Sequence, residues 1–194
     1  MGSKSPCAAV VPAAGKGERF GGRKLLAPVG GTPILECTIR SLLEGGVANV
    51  IVVLAPASEV TASNVATLAD PRVRTVVNPD PSRGMFSSIQ AGLRLAPAGA
   101  NPVLVLPGDM PFVRTETVAA IVNAARDGAE PISPTHDGRR GHPLALPACA
   151  SAALLAADPK ESLNDVLRML VLPRRELPVD DPGILRDVDT RADL

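Results

Sequence analysis

Val10-Val11-Pro12-Ala13-Ala14-Gly15-Lys16-Gly17-Glu18-Arg19-Phe20-Gly21-Gly22-Arg23-Lys24 is the stretch on which the fold turns. The apolar run Ala8 to Val11 reads as a short buried strand, and the chain leaves it through small residues, glycines and cations. Gly15 and Gly17 carry no side chain, so the backbone can approach a ligand closely. Backbone N–H groups in such a loop form a concave anion site, and Lys16, Arg19, Arg23 and Lys24 add positive charge. A polyphosphate suits that combination. Two common nucleotide motifs do not fit. Phe20 stands where a dinucleotide-binding loop needs its third glycine, and Leu25 follows Lys24 where a P-loop needs Ser or Thr.

Outward from this loop, strand and helix patterns alternate. Pro33 suits the first turn of a helix, and Ile34, Leu35, Thr38, Ile39, Leu42 and Leu43 recur at helical spacing up to Gly45-Gly46. Asn49 to Leu54 has the continuous apolar character of a parallel strand covered on both faces. The pattern then predicts a helix over 58–68, a strand over 73–77, a helix over 85–95, a strand over 102–106 and a helix over 115–125. Two extended pieces, 130–135 and 142–146, flank Asp137-Gly138 and read as a hairpin. Helices over 149–156 and 162–170 and extended pieces over 175–179 and 184–187 follow. No internal repeat or linker divides the chain. The expected fold class is α/β: a single domain over 1–194 with a mostly parallel, Rossmann-like sheet flanked by helices and a small antiparallel hairpin.

Composition narrows the function. The 194 residues carry 20 Lys+Arg against 20 Asp+Glu, so no basic excess argues for nucleic acid. With no Trp or Tyr and three Phe, there is no set of stacking platforms for single strands. Cys7, Cys37 and Cys149 are odd in number and widely spaced, which suits reduced thiols rather than a disulfide frame or a zinc site. No apolar run reaches membrane-spanning length and no signal-peptide core opens the chain, so a cytoplasmic protein without a membrane partner is expected.

In open α/β sheets, ligands bind outside the carboxyl ends of the strands. Ala13 to Lys24, Asn78 to Gly84 and Asp109 would meet there. Asp109 follows Val103-Leu104-Val105-Leu106 and suits either a Mg²⁺ ligand or a turn residue capping the next helix. Asp187 and Asp189 would share one face of an extended segment, a second carboxylate pair, unless Asp189 caps a short terminal helix. His142, in Arg140-Gly141-His142-Pro143, could ligate metal, position a phosphate or serve the fold. His136 lies in a polar turn. Ser87 and Ser88 read as helix N-terminal residues able to touch a ligand, because no GxSxG elbow makes either a nucleophile.

Together these motifs resemble the molybdenum cofactor cytidylyltransferase family, within the GT-A-like NTP transferases. The matching pieces, spread from residue 10 to residue 194, are P-A-A-G-K-G-E-R-F-G-G-R-K-L-L, N-P-D-P-S-R-G-M-F-S-S-I-Q-A-G-L, L-P-G-D-M-P-F-V, G-R-R-G-H-P-L and D-V-D-T-R-A-D-L. The resemblance implies transfer of CMP from CTP to a phosphate-bearing acceptor, the molybdenum cofactor, with Mg²⁺. It implies that Ala13, Ala14, Gly15, Gly17, Arg19, Lys24, Asn78, Gly84, Ser87 and Ser88 contact the nucleotide. It makes Arg19, Lys24 and Asp109 catalytic, Asp109, Asp189 and Asp187 the metal ligands, and His142 an acceptor contact. An apo-molybdoenzyme or chaperone partner follows from the same resemblance. The sequence also departs from that family. Pro12 replaces a hydrophobic residue, Gly17 a serine and Phe20 a methionine, and the V-P-A-A-G opening is similar to methylerythritol phosphate cytidylyltransferases. Two alternatives stand beside this reading: a guanylyltransferase or other sugar- or alcohol-phosphate nucleotidyltransferase, and a non-catalytic nucleotide-binding accessory protein.

Overall fold

Ala8, Ala9, Val10 and Val11 have no exposed surface, as a strand enclosed on both faces requires. They form β1 (Ala8–Pro12), and their alternation sends Ala9 and Val11 into one apolar cluster and Ala8 and Val10 into the other. The computed structural model describes residues 5–15, 20–56, 58, 60–66, 68–126 and 128–194. After β1 come a small antiparallel pair, β2 (Pro28–Val29) and β3 (Thr32–Pro33), and the helix α1 (Ile34–Glu44). Then follow β4 (Asn49–Leu54), α2 (Ala62–Ala66), β5 (Val73–Val77), α3 (Met85–Leu95), β6 (Val103–Val105) and α4 (Thr115–Ala125). The last part holds β7 (Ile132–His136), β8 (Arg139–Arg140), β9 (Leu144–Leu146), α5 (Ser151–Ala156), α6 (Leu163–Met169) and β10 (Arg175–Pro178).

The main sheet runs β10-β7-β9-β6-β1-β4-β5, with β8 paired to β7. β5, β4, β1 and β6 are parallel, as are β7 and β10, while β9 is antiparallel to both β6 and β7. On one face Leu35, Ile39 and Leu42 of α1 and Val118, Ile121 and Val122 of α4 join the cluster of Val50, Val52 and Leu104. On the other, Phe86, Ile89 and Leu93 of α3, Leu154 of α5, and Val166 and Leu167 of α6 cover Ile51, Val53, Val103 and Val105. Gly92, in the middle of α3, faces Val10 and Val53; a Cβ there would overlap the Val10 side chain, so the absent side chain lets the helix lie close on the sheet. Truncating a fully buried residue such as Ile39 to alanine costs about 2–5 kcal/mol.

The expected fold class is thus the observed one: a mostly parallel sheet between helical layers, with a small antiparallel hairpin. Four local expectations are corrected. The helix over 58–68 shrinks to α2, where Thr61 and Asn64 bond each other's backbone N–H at its start. The tight hairpin joins β7 to the two-residue β8 through Asp137 and Gly138, both at positive φ, and the stretch after His142 instead inserts as β9 between β6 and β7. Residues 182–185 form a 3-10 turn rather than an extended piece. Thr190, not Asp189, caps the terminal turn, through a reciprocal pair with Asp193. No helix among the described residues is long and apolar enough to cross a membrane.

Candidate active site

A cavity of about 380 Å³ opens at the carboxyl ends of the parallel strands. Pro12 to Gly15 reach it from β1, Ala55, Ser58 and Val60 from β4, Pro81, Gly84, Met85 and Ser88 from the connection into α3, and Pro107 and Asp109 from β6. Gly21, Gly22 and Arg23 all take positive φ, and this turn leads into the short 3-10 helix that begins at Lys24. Arg19 and Gly17, expected at the nucleotide, lie outside the described residues.

Lys24 is the electrostatic centre. Its side chain is 11% exposed, and its Nζ donates to Asp109 Oδ2 at 2.8 Å and to Asp189 Oδ1 at 3.0 Å. Partial burial acts to lower its pKa, but the hydrogen bonds and charges of Asp109 and then Asp189 outweigh that and hold it above the ordinary lysine value. Carboxylate oxygens of Asp109, Asp187 and Asp189 all lie within 4.8 Å of one another. Three hard oxygen donors this close suit a divalent cation of the Mg²⁺ or Mn²⁺ kind, and an ammonium group already bridges two of them.

The way Asp187 and Asp189 reach Asp109 was not legible in the motif alone. Val188, between them, is fully buried and donates its N–H to the Asp109 carbonyl at 2.9 Å. It packs with Phe20 and Ile34, so the residue that breaks the glycine motif ties the loop to the aspartate segment. Upstream, Asp181 is 1% exposed and anchors the segment. Its Oδ2 accepts from the Arg114 N–H at 2.9 Å and from Thr117 Oγ1 at 2.7 Å, and its Oδ1 from the Gly183 N–H at 2.9 Å. Sequence reading missed Asp181, and it also missed Ala55, Ser58 and Val60, although the rule that ligands gather at strand ends points to the end of β4.

Asn78 does not line the cavity. It is 1% exposed, and its Nδ2 donates to Ser87 Oγ at 2.8 Å and Ser88 Oγ at 3.0 Å, so it sits behind the first turn of α3. Ser87 is likewise buried and donates to the Gly84 carbonyl at 2.7 Å, while Ser88 and Gly84 face the cavity. Because β9 runs against β6, the residues before it return to the carboxyl edge beside Asp109. His142 lies there, lining a second cavity. The Val105 carbonyl, 3.3 Å from Nδ1, only accepts, which makes Nδ1 the protonated ring nitrogen and leaves Nε2 as the acceptor. Burial holds the His142 pKa below its ordinary value. His136 is fastened elsewhere, its Nδ1 3.2 Å from the Val179 carbonyl.

A glycine-rich loop, a lysine and a trio of aspartates at the carboxyl edge of a mostly parallel sheet define a nucleotide-handling α/β protein. More particularly, the chain belongs to the MobA-like NTP transferase family, whose domain matches residues 9–176. Among curated proteins it is similar to the 2-C-methyl-D-erythritol 4-phosphate cytidylyltransferase of Streptomyces avermitilis, 36% identical over 132 residues. That stretch is 66% of this chain and 52% of the relative, so the chain spans about half the length of the curated protein it matches. Among solved structures, a nucleotidyl transferase from Methanothermobacter thermautotroptrophicus superimposes with a TM-score of 0.78 at 27% identity, covering 97% of this chain and 94% of that one. Rv0371c of Mycobacterium tuberculosis, solved with manganese, shares the fold with a TM-score of 0.75 at 24% identity, over 98% and 96% of the two chains.

Proposed function

We propose that the protein is a divalent-metal-dependent cytidylyltransferase, moving CMP from CTP onto a phosphate-bearing acceptor, with the molybdenum cofactor as the acceptor that the family resemblance implies. The observation that carries this reading is the Lys24–Asp109–Asp187–Asp189 cluster beside the cavity walled by Ala13 to Gly15. Of that arrangement, Ala13 to Gly15, Lys24 and Asp109 lie within the matched NTP transferase domain, residues 9–176, and Asp187 and Asp189 follow it. The similarity to a protein named as a cytidylyltransferase supports the choice of CTP.

An oxygen of the acceptor phosphate bonds to the α-phosphorus of CTP, the bond from that phosphorus to the β-phosphate oxygen breaks, and pyrophosphate leaves with the electron pair. A phosphate monoester has a second pKa of about 6 and is largely a dianion at neutral pH, so no side chain has to remove a proton. The chain's work is to bring two anions together and hold them in line. Ala13 to Gly15 offer main-chain groups to the nucleotide, and Ser88 offers a hydroxyl from the first turn of α3. Lys24, charged throughout the physiological range, moves its ammonium from the aspartates to the triphosphate. Asp109, Asp187 and Asp189 would hold Mg²⁺, which supplies charge neutralisation at the reacting phosphates.

A thermal-shift panel of CTP, GTP, ATP and UTP with Mg²⁺ tests the nucleotide. At about 100 times Kd a ligand stabilises the native state by roughly 2.7 kcal/mol, a rise of roughly 5–10 °C for a domain of this size. The largest shift is expected with CTP. A larger shift with GTP would move the protein to guanylyl transfer, and no shift with any nucleotide would remove the transferase reading. A second acceptor is favoured by the V-P-A-A-G opening and the Streptomyces relative: methylerythritol 4-phosphate. Pyrophosphate release from CTP with each acceptor in turn separates the two.

A further inference from the structure

A second cavity, of about 730 Å³, lies on the other side of Met85 from the nucleotide cavity, and Met85, 58% exposed, lines both. Resting on the transferase reading above, we propose that this second cavity is the acceptor's pocket, that it takes a phosphomonoester with an apolar body, and that Arg174 anchors the acceptor's anionic group.

The two parts of such a ligand match two parts of the pocket. Phe86, Ile89, Leu167 and Leu172 give it an apolar floor, and Arg140, Arg168 and Arg174 stand around it. Two of these arginines carry their own counter-charge. Arg140 Nε donates to Glu176 Oε1 at 2.6 Å, and Arg168 Nη1 to Asp165 Oδ1 at 2.7 Å. Arg174 does not. It is half-buried, and among the described residues its guanidinium has one hydrogen bond, from Nη2 to the neutral Oδ1 of Asn164 at 2.7 Å. Glu161, the acidic side chain lining the cavity, makes no ion pair with any of the three among the described residues. Burial, with Arg140 and Arg168 adding repulsion, lowers the Arg174 pKa, as befits a cation without an anion.

A partly desolvated guanidinium is costly unless an anion meets it, and its planar fork matches a phosphate with two parallel hydrogen bonds. The pocket also leads to the chemistry. His142 lines it and lies within electrostatic range of Asp109 and Asp187 as well as Arg174. An acceptor phosphate between them is close to the carboxylate cluster, while its apolar body rests on the floor beneath α6. Arg174 is then a specificity-determining residue that selects acceptors by charge, and it has no part in holding CTP.

The test uses phenyl phosphate as the probe, titrated into the full chain without nucleotide and followed by ³¹P line broadening, with inorganic phosphate as the comparison. Phenyl phosphate is expected to bind the wild-type chain more tightly than inorganic phosphate does. Losing one charge-assisted anchor weakens binding about ten- to a hundredfold, so Arg174→Gln is expected to fall in that range and Arg174→Lys to recover part of the loss. Asn164→Asp, which gives Arg174 an internal carboxylate without truncating anything, is expected to weaken the probe equally and covers the case in which Arg174→Gln fails to fold. The CTP-induced midpoint shift should be the same in every folded variant. The proposal is overturned if wild-type chain does not bind phenyl phosphate, if both Arg174→Gln and Asn164→Asp bind it as wild type does, or if CTP displaces it competitively. Absence of any CTP shift would sink the cytidylyltransferase reading alone, because the probe titration contains no nucleotide.

Discussion

Asp181→Ala tests whether the aspartate segment is held by a buried carboxylate. Asp181 is 1% exposed and accepts three hydrogen bonds, from the Arg114 and Gly183 N–H groups and the Thr117 hydroxyl. Truncation leaves the Thr117 hydroxyl and the Gly183 N–H buried without an acceptor, whereas the exposed Arg114 can rehydrate. Each orphaned group costs about 1–3 kcal/mol, so the variant should lose about 3 kcal/mol or more. For a chain of this length each kcal/mol moves Tm by about 2–4 °C, which gives a fall of roughly 6–12 °C. Asp181→Asn keeps one acceptor oxygen and should lose about half as much. Urea and thermal unfolding followed by circular dichroism measure both. The segment also delivers Asp187 and Asp189, so turnover in Asp181→Ala should drop at temperatures where the protein is still folded. An Asp181→Ala variant melting within 2 °C of wild type would refute the latch.

Four further expectations follow. Asp109→Ala should cost at least roughly a hundredfold in kcat, since charge on the reacting phosphates is left without its neutralising partner; pyrophosphate release under saturating CTP and acceptor checks it. Lys24→Met should bind Mn²⁺ severalfold more tightly in the absence of nucleotide, because the ammonium that bridges Asp109 and Asp189 is gone, yet turn over far more slowly; isothermal titration and kinetics read the two effects. Burial lowers the His142 pKa from its ordinary 6.5, so the unfolded chain takes up the proton first and stability falls as pH drops below about 6.5. His142→Asn should flatten that dependence of Tm and His136→Asn should not. Finally, Cys149 is exposed, while burial pushes the Cys7 thiol up to about 12, so an alkylating reagent should label Cys149 readily and leave Cys7 untouched in the folded protein.

The strands that build the central sheet were readable because enclosure on both faces leaves an unbroken apolar run, as in Ala8 to Val11 and Asn49 to Leu54. Asp109 was readable for the same reason: it sits just past such a run. What escaped depends on neighbours far away in sequence. Nothing local in residues 142–146 tells that this piece enters between β6 and β7 rather than closing the hairpin. The polar stretch 58–68 carried too little apolar periodicity to hold a full helix, and five residues of it form α2. Asn78 has the loop position of a ligand contact, but its role is set by two serines on the next helix. Asp181 looked like one acidic residue among several near the C-terminus, and only the fold brings Arg114 and Thr117 to it.

Gly92 lines neither cavity, yet it sets how closely the start of α3 approaches the loop after β1. One wall of the nucleotide cleft continues from β1 at Ala13 to Gly15, and the other is the start of α3 at Gly84 and Ser88. The separation of the two walls is therefore set two helical turns further along, where Gly92 rests on Val10 and Val53. The aperture is gauged in the core, and the rim is left free to vary. Side chains at the mouth can be exchanged while the spacing between the β1 loop and the start of α3 is kept. A single methyl group added at Gly92 acts in the opposite sense, widening the cleft without touching any residue that lines it.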